Sequence, residues 1–83
     1  MTTLVIGNSR ELVVDYLRKI SGSSSKVNNM QLTLDVNGKS YRGIVYNTNW
    51  KQRLQAVTFS DVVFLDDYYP DQFINYVMSK RRG

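Results

Sequence analysis

The apolar run Val62-Val63-Phe64-Leu65, closed by Asp61 on one side and by Asp66-Asp67 on the other, most constrains the fold of this chain. It is too short for a globular helix and has no alternation, so it reads as a strand buried on both faces. Such a strand belongs in a parallel sheet with helices above and below. Thr3-Leu4-Val5-Ile6 has the same character. The two runs are therefore expected as central, parallel neighbours.

Between them the apolar period changes twice. Leu12, Val13, Tyr16, Leu17 and Ile20 fall on one face of a helix over residues 10–20, with Arg18 and Lys19 suited to the negative end of its dipole. Asn8 is placed to cap that helix, and Glu11, three residues on, completes a capping box. The Ser/Gly-rich stretch 21–26 reads as a flexible linker. From Met30 the period becomes two: Leu32, Leu34 and Val36 alternate with Gln31, Thr33 and Asp35 up to Asn37-Gly38. That dipeptide supplies the positive φ angles of a type I′ turn, so residues 30–46 form a β-hairpin. Counting outward from the turn pairs Val36 with Lys39, Leu34 with Tyr41 and Leu32 with Gly43. Arg42 then lies opposite Thr33, and Ile44 and Tyr46 fall on the second face.

Asn47-Thr48-Asn49 caps a short helix over 50–57, in which Trp50, Leu54 and Val57 share a face. Pro70 takes the first position of a final helix over 70–81, whose buried stripe is Phe73, Ile74, Val77 and Met78. Residues 1–83 thus read as one α/β domain: a mixed four-stranded sheet with three helices, in the order β-α-β-β-α-β-α, and the hairpin toward an edge.

With neither cysteine nor histidine in 83 residues, the chain has no disulfide, no thiolate, no imidazole base and few of the usual metal ligands. No apolar run approaches the length of a membrane span, and the amino terminus has no signal-like charge and apolar regions. The cytoplasm, of a host cell if the source is viral, is the expected compartment. The net charge of +4 favours polyanions or acidic surfaces, although the basic residues are spread along the chain.

Asp61-Val62-Val63-Phe64-Leu65-Asp66, with Pro70 four residues beyond Asp66, resembles the phosphoacceptor strand of response-regulator receiver domains. It is also similar to the fourth strand of class I methyltransferases. The receiver resemblance, confined to residues 61–70, implies Asp66 as phosphoacceptor. Receivers carry acidic residues after the first strand, where this chain has Gly7-Asn8-Ser9, and methyltransferases carry a glycine-rich loop that is not present. The shared feature is architectural, and it leaves Asp66 and Asp67 as turn and cap residues before the final helix. Gly7-Asn8-Ser9-Arg10 likewise lacks the spacing of a P-loop or a dinucleotide-binding loop and reads as a capped turn.

Three functions follow as expectations. No motif completes a catalytic constellation, so the first is a small non-enzymatic protein that acts by binding a protein partner, as accessory inhibitors from phages and mobile elements do. Its contact surface is Asp66, Asp67, Tyr68, Tyr69 and Asp71, where the adjacent tyrosines of an acidic turn are exposed anchors. Lys80, Arg81 and Arg82 form a basic second surface. The alternative is a nucleic-acid-binding module using Arg42, Lys51 and Arg53, on condition that folding gathers them on one face. The third is a nucleotide or Mg²⁺ binder with Asp66 and Asp67 at a strand end, which requires the first and last strands to be parallel neighbours. No cofactor is expected under the first two readings.

Overall fold

The computed structural model describes residues 2–22, 27–28, 30–36, 38–55 and 57–81. Its elements are β1 (Thr2–Gly7), α1 (Arg10–Ser21), β2 (Thr33–Val36), β3 (Lys39–Val45), α2 (Trp50–Gln55), β4 (Asp61–Phe64) and α3 (Asp71–Lys80). One mixed sheet has the order β2-β3-β1-β4. β1 runs parallel to both β3 and β4, and β2 is antiparallel to β3. The α/β class, the element order and the parallel pairing of the first and last strands are as the sequence predicts.

The sheet separates two apolar cores because successive residues of β1 point to opposite faces. Val5 packs with Val13 and Leu17 of α1 and with Leu32 and Leu34. Leu4 and Ile6 pack on the other face with Ile44, Leu54, Val57, Phe59, Tyr69, Phe73 and Val77. Fully burying each large side chain contributes about 1.5–3 kcal/mol. Aromatic contacts add to the second core: Phe73 meets the rings of Tyr46 at 4.7 Å and Trp50 at 4.9 Å. The result is a three-layer sandwich, α1 on one face, α2 and α3 on the other.

α1 can approach β3 closely only because position 43 is glycine. A Cβ there would overlap Val13 Cγ1 and lie 3.1 Å from Leu32 Cβ. Gly38, at φ 78°, supplies the positive φ that the hairpin turn requires. The hairpin register is the expected one, Val36 opposite Lys39, Leu34 opposite Tyr41 and Thr33 opposite Arg42. The other half of that turn, Asn37, lies outside the described residues, as do residues 23–26 of the linker.

Several boundaries differ from expectation. Ser9, not Asn8, caps α1, its Oγ accepting from Leu12 N–H at 3.3 Å. Ser21 is the last residue of α1 and is buried, so the helix takes the first residue assigned to the linker. α2 stops at Gln55. Pro70 precedes α3 as its N-cap, without a side-chain bond, instead of opening the helix. Leu12 and Met78 flank the buried stripes and remain exposed.

β4 is an edge strand, not a central one. α2 carries the chain past β1, so β4 joins on the outside, and Val62, Val63 and Phe64 are half-buried. The Phe64 ring compensates by packing on Tyr69 at 5.6 Å and Phe73 at 6.4 Å. Among the described residues no helix is long and apolar enough to cross a membrane.

Candidate functional site

In this topology the loop after β1 leads to one face, and the loops after β3 and β4 lead to the other. Crevices at the carboxyl ends of parallel strands open where neighbouring loops part in this way. A crevice is therefore expected on each side of β1.

The crevice between β1 and β4 is filled by the chain itself. Asp66 Oδ2 accepts a hydrogen bond from the Asn8 backbone N–H at 3.0 Å and another from the Tyr69 hydroxyl at 3.3 Å. The same hydroxyl donates to the Ile6 carbonyl at 3.2 Å, and Leu65 N–H donates to it at 2.8 Å. Burial and, next, the charge of Asp66 push the Tyr69 hydroxyl up to about 12, so it is a donor at neutral pH. The β1–β4 pairing required for a metal or nucleotide site is present. Yet the Asp66 carboxylate joins two loops, and among the described residues no three potential metal-ligating side chains gather. Asp67 points to solvent.

Tyr69 corrects the expected contact surface. It is 8 % exposed and belongs to the core, whereas Tyr68 is 88 % exposed. Adjacent side chains of an extended segment point to opposite sides, so one enters the sheet–α3 interface and the other cannot. Asp67, Tyr68 and Asp71 remain on the surface. Lys80 Nζ donates to the Leu54 carbonyl and Arg81 Nε to the Ser60 carbonyl at 3.2 Å, so both fasten the end of α3. Arg82 lies outside the described residues.

At the carboxyl end of β1 the Tyr46 N–H donates to the Gly7 carbonyl at 2.9 Å, and the open recess lies instead on the outer side of β3, where β2 is short. Asn28 Oδ1 accepts from the backbone N–H groups of Met30, at 3.1 Å, and Gln31, at 3.0 Å. Asn28 and Thr33 close the loop through reciprocal backbone bonds of 2.9 and 3.3 Å. These bonds turn Met30 and Gln31 away from the extended conformation expected of them, and the strand starts at Thr33. Leu32 accepts a left-handed backbone, φ 54°, while its side chain enters the α1 core. A left-handed leucine costs about 1–2 kcal/mol, which its burial offsets.

β3 continues beyond the start of β2, and the step between them is the floor of a cleft of about 610 Å³. Arg10 of α1, Arg42 of β3 and Arg53 of α2 line it, with Gln31, Gly43, Ile44, Val45 and Asn47. Among the described residues no carboxylate lines the cleft, and the Arg42 and Arg53 side chains have no hydrogen-bond or ion-pair partner. Concave walls with one sign of charge focus a positive potential. Guanidinium groups engage phosphate or carboxylate oxygens through paired N–H donors.

Folding thus brings Arg42 and Arg53 together and adds Arg10, but it leaves Lys51 outside, its Nζ 5.6 Å from the Trp50 ring centroid. Sequence reasoning placed Arg10 at the β1 turn without linking it to Arg42 or Arg53, and it missed Gln31 and Asn47. Nothing in local spacing joins positions 10, 31, 42, 47 and 53. Comparison with protein-family models, curated proteins and solved structures found no match to this chain.

Proposed function

We propose that this protein is a nucleic-acid-binding module that works without chemistry, holding phosphate oxygens in the arginine-lined cleft at the step between β3 and the start of β2. The observation that carries this reading is the convergence of Arg10, Arg42 and Arg53, from three separate elements, on one cleft with no carboxylate in its lining among the described residues. Dispersed positive charge gives weak, nonspecific attraction; gathered arginines give phosphate contacts that position a ligand. The net charge of +4 favours approach of a polyanion.

Fluorescence anisotropy with labelled single- and double-stranded oligonucleotides, at low and physiological salt, tests the reading. Micromolar or tighter binding is expected, with Arg42→Gln and Arg53→Gln each weakening it about tenfold and reducing the salt slope by about one. Lys51→Gln should change affinity much less. Binding that is absent at low salt, or indifferent to both arginine substitutions, would overturn it.

A protein partner is the second reading, favoured by one observation: Tyr68 is 88 % exposed between exposed Asp67 and Asp71. An isolated aromatic with two rotatable side-chain angles is well suited to anchor an interface. Capture of a partner from host lysate that survives nuclease treatment and is lost in Tyr68→Ala would support it. The inhibitor role expected of such a binder belongs to this reading.

A further inference from the structure

Resting on the nucleic-acid reading, we propose that the cleft recognises a terminal phosphomonoester of a nucleic-acid strand in preference to the phosphodiesters along it.

Charge is the first argument. A terminal phosphomonoester carries about −1.5 to −2 at pH 7 and presents three acceptor oxygens, whereas an internal diester carries a single charge. Arg42 and Arg53, with no protein partner among the described residues, and Arg10 beside them match the dianion better. The match improves because no carboxylate in the described lining of this cleft pairs with the Arg42 or Arg53 guanidinium group.

Shape is the second. The cleft is a recess of about 610 Å³ bounded by Met30, Gln31 and Leu32, by Arg10 at the start of α1 and by Arg53 of α2. A strand end can enter such a recess and stop, while a continuous strand must enter and leave. The loop wall is held by the two Asn28 Oδ1 bonds and the closing bonds to Thr33, so the recess is formed before a ligand arrives.

The third argument is what the walls lack. Single-strand binding along a chain relies on aromatic side chains that stack successive bases. Among the described residues no aromatic ring lines this cleft. Tyr46, Trp50, Tyr69 and Phe73 pack against one another instead. What remains beside the arginines is the amides of Gln31 and Asn47, which donate to phosphate or sugar oxygens, and Met30, 87 % exposed at the rim, on which one terminal base can lie.

The test is anisotropy with the full chain and one single-stranded oligonucleotide prepared with a 5′-phosphate, with a 3′-phosphate or with hydroxyl ends, and inorganic phosphate and a 5′-mononucleotide as competitors. At least about tenfold tighter binding is expected for one phosphorylated end over hydroxyl ends. The preference should fall as pH drops below about 6, where the monoester loses its second charge, and should vanish in both Arg42→Gln and Arg53→Gln. Circular dichroism melts show whether either variant is folded, and the helix-surface Arg53→Gln keeps the test decisive if Arg42→Gln is not. Equal affinity for all three ends would overturn end recognition while the nucleic-acid reading stands. No binding to any oligonucleotide would overturn both. Inorganic phosphate competing as well as the mononucleotide and the phosphorylated strand would overturn the nucleic-acid ligand in favour of free phosphate.

Discussion

The Asn8 backbone N–H and the Asp66 carboxylate, 58 positions apart, meet at 3.0 Å. This bond ties the turn entering α1 to the loop entering α3, so it crosses between chain segments that leave the sheet toward opposite faces. The same Oδ2 takes the Tyr69 hydroxyl. The acidic strand end is thereby a joint of the fold, and Asp66 is occupied in holding it.

Asp66→Ala should therefore destabilise the protein by about 1–3 kcal/mol, because it removes a charged acceptor from two donors. Asp66→Asn keeps one acceptor oxygen and should cost less. Urea denaturation of the three proteins measures both differences. An unchanged midpoint for Asp66→Ala would make the joint dispensable.

Tyr68 and Tyr69 are neighbours in sequence with opposite fates, and substitution should separate them. Tyr69→Ala opens a cavity between β1, β4 and α3 and should cost about 3–5 kcal/mol, by analogy with other large aromatic truncations. Tyr69→Phe keeps the ring and loses about 1 kcal/mol of hydrogen bonding, since Ile6 O retains the Leu65 N–H. Tyr68→Ala should stay within about 0.5 kcal/mol of the parent protein. Comparable losses at both positions would contradict the observed burial.

Tyr69 also predicts an alkaline limit to stability. Burial and the Asp66 charge raise its hydroxyl from 10.0 to about 12 in the folded state, so folding favours the neutral phenol. The contribution is fully present below pH 10, where the unfolded chain is also protonated, and is lost as pH rises from 10 toward 12. Denaturation midpoints of the parent and Tyr69→Phe should therefore converge over that interval. Ultraviolet difference titration at the tyrosinate band, parent minus Tyr69→Phe, should show one phenol ionising near pH 12. A difference midpoint near 10 would mean that the hydroxyl is not held as described.

The parts of this fold that were legible in the sequence are those set by local periodicity and turn chemistry. Val62–Leu65 and Leu4–Ile6 announced parallel strands, and Gly38 set the register that pairs Leu34 with Tyr41. What stayed hidden depends on contacts between distant segments. The Asp66 joint needs Asn8, the burial of Tyr69 needs the Ile6 carbonyl, and the cleft needs Arg10, Arg42 and Arg53 from three elements. Met30 and Gln31 misled for a different reason. Their apolar–polar alternation continues that of β2, yet the short amide of Asn28 outcompetes the ladder for their N–H groups.

Gly43 gives the most direct test of how α1 seats on the sheet. A methyl group at position 43 would overlap Val13 Cγ1, a side chain with no exposure, so neither partner can retreat into solvent. Gly43→Ala should therefore cost about 1–3 kcal/mol through overpacking. Val13→Ala removes the overlapping carbon and has its own cavity cost, but in that background Gly43→Ala should become cheaper by about 1 kcal/mol or more. The relief should be partial, because Leu32 Cβ at 3.1 Å and the Leu32 carbonyl at 3.3 Å still confine the new methyl. Leu32 also lines the arginine cleft. Displacing it should loosen the cleft wall and weaken oligonucleotide binding in the single variant more than in the double. A double-mutant cycle on denaturation midpoints, run beside anisotropy on the same four proteins, measures both effects; strictly additive stabilities would show that α1 does not bear on β3 through this contact.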